Sequence, residues 1–215
     1  MPPKRECRGD SVIQSPSVSP KGDLMTTFSL HSFGESDDDK HGFTIQITEN
    51  MKEEYGMFVW PCSIVLAEYV WQQRSCFSGI NVIEVLENIR RVCDLNKLSC
   101  KVMGLTWGIW DSQIFDLHPK ILLGADVLYD ASAFDDLFST VAFLLQKTPG
   151  SVFITTYHNR SGHHLIEFLM VKWGLKCSKL LDAFSFMPSD KASGLGGNIQ
   201  LVEIVLISQQ VTSCS

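Results

Sequence analysis

Lys120-Ile121-Leu122-Leu123-Gly124-Ala125-Asp126-Val127-Leu128 is almost continuously apolar, with its one carboxylate near the end. A short run of this kind reads as a strand covered on both faces, as strands of parallel sheets are. Outward from it, the period switches repeatedly. Ser132 to Gln146 has helical spacing and Ser151 to Tyr157 is again strand-like. Leu165 to Trp173 reads as a helix stopped by Gly174, and Asn198 to Ser208 as a long strand at the far end of the sheet. On the other side lie a strand from Ile80 to Val85, a helix from Leu86 to Asn96 and a strand from Lys101 to Leu105. Strands alternating with helices predict an α/β fold with a parallel sheet.

Ahead of this alternation, Trp60 to Arg74 carries Pro61 at a first-turn position and places Ile64, Val65, Ala67, Val70 and Trp71 mainly on one helical face. Phe43 to Ile47 alternates apolar and polar residues, the pattern of a half-buried strand at a sheet edge. Residues 1–40 are rich in Ser, Pro, Gly and Asp and show neither period, which predicts a disordered arm. The domain is expected to span residues 41–210, with 211–215 as a tail. Gly194-Leu195-Gly196-Gly197 precedes a strand instead of opening a helix, so it reads as a hairpin loop and not as a phosphate cradle.

The chain has 215 residues, 45% hydrophobic and 20% charged, enough for one sizeable core. Its formal net charge of −6 argues against a phosphate-neutralising surface, so no nucleic-acid partner is expected. Seven cysteines without a C-x-x-C pair suggest a reducing compartment. No apolar run reaches the length of a membrane span. A cytoplasmic or nuclear location, with no membrane partner, is the expectation.

Three features carry the candidate chemistry: Trp60-Pro61, Leu105-Thr106-Trp107-Gly108, and Gly124 to Tyr129. The last two fall after predicted strands, where open α/β sheets bind ligands. A tryptophan there can lie against an adenine, and an aspartate can hydrogen-bond an ammonium group or hold a cationic substrate, which would suit a sulfonium cofactor. Each residue also has a plainer reading, Trp107 as a loop anchor and Asp126 as a cap. His158, His163 and His164 match no zinc spacing, so no metal ligands are assigned. A G-x-S-x-G elbow is absent, which removes the usual hydrolase signature.

The segments Val59 to Val70, Arg90 to Asn96, Gly104 to Gly108, Ile121 to Asp130 and Thr155 to Gly162 resemble the methyltransferase-like protein 23 family. That family lies within the seven-strand, class I S-adenosylmethionine-dependent methyltransferases, and the likeness runs from residue 43 to 208. It implies a Rossmann-like sheet and methyl transfer from S-adenosyl-L-methionine to a side-chain nitrogen of a protein substrate. It also implies that Trp60 lies near the cofactor, that Trp107 contacts adenine, and that Asp126 and Tyr129 form the D-x-x-Y element at the cofactor and substrate mouth. Glu84 matches either the acidic end of the family's first strand or the glutamate opening a later helix.

The resemblance breaks after that strand. Family members continue into a glycine turn, a helix and a second strand ending in an acidic residue, whereas no glycine occurs here between Gly79 and Gly104. About thirty residues, roughly one βα unit, are therefore expected to be missing. Glycines let the backbone approach a ligand, and the acidic residue binds ribose hydroxyls, so most cofactor contacts go with the block. A shortened product of a locus, made by alternative splicing or by an erroneous gene model, is one expectation. A non-catalytic protein-interaction module is the functional alternative.

Overall fold

The computed structural model describes residues 26–34, 42–50, 58–84, 89–99, 101, 103–159 and 163–207. Its main sheet has five strands: β3 (Val82–Glu84), β4 (Ile121–Ala125), β5 (Val152–His158), β6 (Leu175–Asp182) and β7 (Ile199–Leu206). They lie in the order β3-β4-β5-β7-β6. β3, β4 and β5 run parallel, while β7 is antiparallel to both β5 and β6. The predicted α/β class holds. Two details of the sheet differ from expectation. It is mixed, because β6 and β7 form a hairpin-like pair, and β7 sits between β5 and β6 instead of at the far end.

β4 and β5 are apolar without alternation because both faces are covered. On one face α5 (Phe134–Lys147) and α6 (His163–Lys172) pack over Leu122, Phe153, Val202 and Ile204. On the other, α1 (Pro61–Gln72) brings Leu66 and Tyr69 onto Ile121, Leu123, Ile154 and Leu201. Fully buried Phe138, Leu144 and Leu145 anchor α5. Each such side chain contributes about 1.5–3 kcal/mol on leaving water. Asp135 and Asp136 in the first turn of α5 and Lys147 in its last complement the helix dipole.

β3 is three residues long and is the end strand of the sheet. Its one neighbour among the described residues is β4, through Val82↔Ile121, Ile83↔Leu122 and Glu84↔Leu123. Residues 85–88, where the expected junction falls, lie outside the described residues, and α3 (Ile89–Leu95) follows. The strand expected from Lys101 to Leu105 does not form among the described residues. Without a neighbour beyond β3, that segment has no ladder to join.

The expected arm needs correction as well. Thr26–Phe33 is a strand, β1, paired antiparallel along its whole length with β2 (Phe43–Asn50). Residues 1–25 lie outside the described set. β2 thus belongs to a separate two-stranded sheet, not to an edge of the main one. Several attachments hold this hairpin: Phe33 and Phe43 pack on Trp71 of α1, Asn96 exchanges two hydrogen bonds with the Gln46 backbone, the Val59 N–H donates to the Glu49 carboxylate, and Lys191 Nζ donates to the Ser32 carbonyl. The remaining short helices are α2 (Arg74–Phe77), α4 (Ser112–Phe115) and α7 (Ser189–Ala192). β6 was not foreseen, because its Leu175 start is followed by Lys176, Ser178 and Lys179, which mask the alternation.

Candidate functional site

The carboxyl ends of β4 and β5 meet the first turn of α1. Trp60 caps α1 in an extended conformation, and Pro61 supplies the fixed first-turn geometry with no N–H to satisfy. The Trp60 ring stands edge-on to Phe58, with ring centres 5.2 Å apart. One residue past Pro61, the buried Cys62 presents its carbonyl to the Thr156 hydroxyl of β5, which donates across 2.8 Å. Thr156 has its own carbonyl occupied by the backbone N–H of Asp126, also at 2.8 Å. One β5 residue thereby locks both the helix start and the end of β4.

Asp126 has φ +54, a left-handed conformation that costs an ordinary residue about 1 kcal/mol or more. The kink turns the chain out of β4 at the point where its half-buried carboxylate leaves the sheet. Three residues on, Tyr129 is 64% exposed. Asp130 then caps the turn at residues 131–133 by accepting from the Ser132 N–H and hydroxyl. Asp126 and Tyr129 therefore both follow the carboxyl end of β4.

The Cys62 thiol, the Asp126 carboxylate and the His158 imidazole have ligand atoms that all lie within 4.8 Å of one another. His158 ends β5, and a side chain at Gly197 would meet its Nδ1 at 3.0 Å, so the glycine there, at φ +92, keeps room for the ring. The sequence reading grouped His158 with His163 and His164 instead. Its partners in space come from α1 and β4, separated by 64 residues in sequence, and spacing alone carries no signal for such a meeting.

Trp107 is placed differently. It is half-buried and packs against the core under α5, on the opposite face of the sheet from α1. The next residue, Gly108, is at φ +73; its N–H donates to Thr140 Oγ1, and an added Cβ would lie 2.6 Å from Asp136 Oδ1. Trp107 thus sits in a loop tied to α5 through Gly108 and packs against the core cluster that contains Val127, Leu128 and the buried side chains of α5. The Glu84 backbone closes β3, while its side chain lies outside the described residues.

The residues present do not make a full S-adenosylmethionine site. No glycine follows the end of β3 until Gly104, and among the described residues no second strand lies beside it to offer an acidic residue to ribose. What the fold does retain, a parallel core ending in an antiparallel pair with a kinked aspartate at the mouth, is the Rossmann-like sheet of the class I methyltransferases, short of about one βα unit. A sequence pattern described as lysine methyltransferase matches residues 80–172. Histone-arginine methyltransferase METTL23 of Xenopus laevis is 35% identical, covering 66% of this chain and 74% of that protein. The Mus musculus and Homo sapiens proteins of the same name are 32% and 30% identical, with 78% and 97% of their lengths covered. A Clostridium acetobutylicum S-adenosylmethionine-dependent methyltransferase of known structure is 9% identical, with a TM-score of 0.44 over 64% of this chain and 80% of its own.

The chain belongs to the methyltransferase-like protein 23 family. The Xenopus match runs over 173 positions, yet 66% of 215 residues is only about 142. Relatives thus have about thirty positions with no counterpart here, the length expected for the missing block.

Proposed function

We propose that this chain carries the acceptor half of an S-adenosylmethionine-dependent protein N-methyltransferase, and that in this form it works as a protein-binding module without efficient turnover. The observation that carries the reading is the contrast between the two halves of the sheet end. At β4 and β5 Thr156 holds the kinked Asp126 and the start of α1 in place, and Tyr129 stands exposed three residues on. At β3 the strand is three residues long, with no glycine turn after it.

The acceptor is a cationic side chain on a protein, lysine or arginine, which Asp126 attracts and Tyr129 orients; relatives named for histone arginine favour arginine. Methyl transfer needs nucleophile, methyl carbon and leaving sulfur in line, and without a grip on the cofactor that alignment is lost. A cytoplasmic or nuclear protein partner, and no nucleic acid or membrane, fits the net charge of −6. Origin as a shortened product of a longer coding sequence fits the internal shortfall against its relatives.

The second reading is a slow S-adenosylmethionine-dependent enzyme, favoured by the retention of the kinked aspartate at the mouth. Calorimetry separates the two. The chain as it stands and a version with a relative's missing block inserted after Glu84 are each titrated with S-adenosylmethionine, then with a histone tail peptide. The module reading expects cofactor binding only in the restored chain and peptide binding in both. Micromolar cofactor binding by the present chain would overturn it in favour of the enzyme.

A further inference from the structure

We propose that Cys62, Asp126 and His158 form a three-donor site for a zinc-class divalent cation. The inference rests on geometry and donor chemistry, and stands whether or not the methyl-transfer reading does. Thiolate, imidazole and carboxylate together are the donor types that zinc takes, and each arrives from a different element of the fold. Bonds of about 2.0–2.3 Å to a tetrahedral ion place donor atoms roughly 3.3–3.8 Å apart. The present separations, all within 4.8 Å, reach that spacing by small side-chain rotations.

Two features of the site favour a bound ion over a reactive nucleophile. The Cys62 side chain is fully buried, which closes it to a bulky electrophile. Asp126 and His158 are only half-buried, so a small cation enters from their side and meets the thiol beneath. The backbones are also fixed in advance: Thr156 holds both the Cys62 carbonyl and the Asp126 N–H, and Gly197 leaves space around His158. Three protein donors leave a fourth position for water or for an atom of a partner. On binding, the thiol releases its proton to solvent and the thiolate sulfur bonds the metal. Because Asp126 is one of the donors, an ion there would compete with a cationic acceptor for the same carboxylate.

The test uses the full chain, stripped of metal with a chelator and titrated with cobalt(II) as a spectroscopic stand-in. A saturable thiolate-to-cobalt charge-transfer absorption with tetrahedral d–d bands, displaced by zinc, is expected. Cys62→Ser should abolish the charge-transfer band, and His158→Gln and Asp126→Asn should each weaken binding about tenfold or more. A Cys76→Ser/Cys177→Ser double variant, which removes two exposed thiols, should leave the spectrum unchanged. Circular dichroism checks each fold. No charge-transfer band, or a band lost with the exposed thiols, would overturn the site. If Cys62→Ser does not fold, the other two variants decide, and unchanged affinity in both refutes the proposal.

Discussion

The Thr156 hydroxyl donates to the Cys62 carbonyl across 94 residues of sequence, and it is the buried link between the first turn of α1 and the end of β5. Thr156→Val keeps the shape of the side chain and removes the donor. The Cys62 carbonyl then loses one of its buried hydrogen bonds, at a cost of about 0.5–1.5 kcal/mol. Urea unfolding should show the loss in midpoint with no change in slope, and cobalt binding should weaken along with it.

Lys191 lies 2.7 Å from Glu68, whose side chain is 4% exposed, while the lysine is 24% exposed. Lys191 also donates to the Ser32 carbonyl and sits over the Phe33 ring, so it joins α1, α7 and the β1–β2 hairpin. Lys191→Met strands a buried carboxylate, a loss of about 3 kcal/mol for a pair open at one end. The double variant with Glu68→Gln should recover part of that loss in a thermal melt. Full additivity of the two changes would argue that the pair is not coupled.

Burial holds the His31 imidazole below the ordinary histidine value of 6.5, Glu49 opposing the shift and Lys191 adding to it. The unfolded chain therefore takes up the proton first as pH falls, and it binds more protons than the folded chain between the two values. Stability from this residue is complete above about pH 6.5 and is lost as pH falls through the lowered folded value. Melting temperature should decline over that window in the native chain, and His31→Gln should flatten the decline.

Gly108→Ala meets two obstacles, a left-handed φ of +73 and the Asp136 carboxylate 2.6 Å from the new Cβ. A loss of about 1–3 kcal/mol is expected, with the Trp107 loop lifting from α5. A red shift in tryptophan emission relative to the native chain checks the displacement. A variant of unchanged stability and emission would show that the loop is not held there.

Much of the fold is legible in the sequence because the central strands lie between two helical layers. Ile121 to Ala125 and Val152 to Tyr157 are buried on both faces and carry apolar residues apart from Thr155 and Thr156, whose hydroxyls are hydrogen-bonded, and α5 follows its 3.6-residue spacing with acidic residues in its first turn. Asp126 and Tyr129 are legible for the same reason, as the polar residues that follow a buried strand. The Thr26–Phe33 strand is not, since Phe28 and Leu30 stay exposed while only Phe33 is buried, and its partner is a hairpin outside the main core. Trp107 is legible as an aromatic of consequence but not as one that faces α5, because the direction of its turn is set by Gly108 and Thr140. The meeting of Cys62 with Asp126 and His158 depends on how α1 docks across the sheet, and no local pattern encodes it.

The position of β3 at the end of the order β3-β4-β5-β7-β6 has one more implication. In the family's arrangement the absent second strand lies beyond the first, so its removal trims the rim and carries off the third strand with it, yet never opens a gap between strands that remain. A loss at the rim can in this way leave a continuous centre. A sheet can therefore lose a unit at its rim without breaking the pairing of the strands that remain.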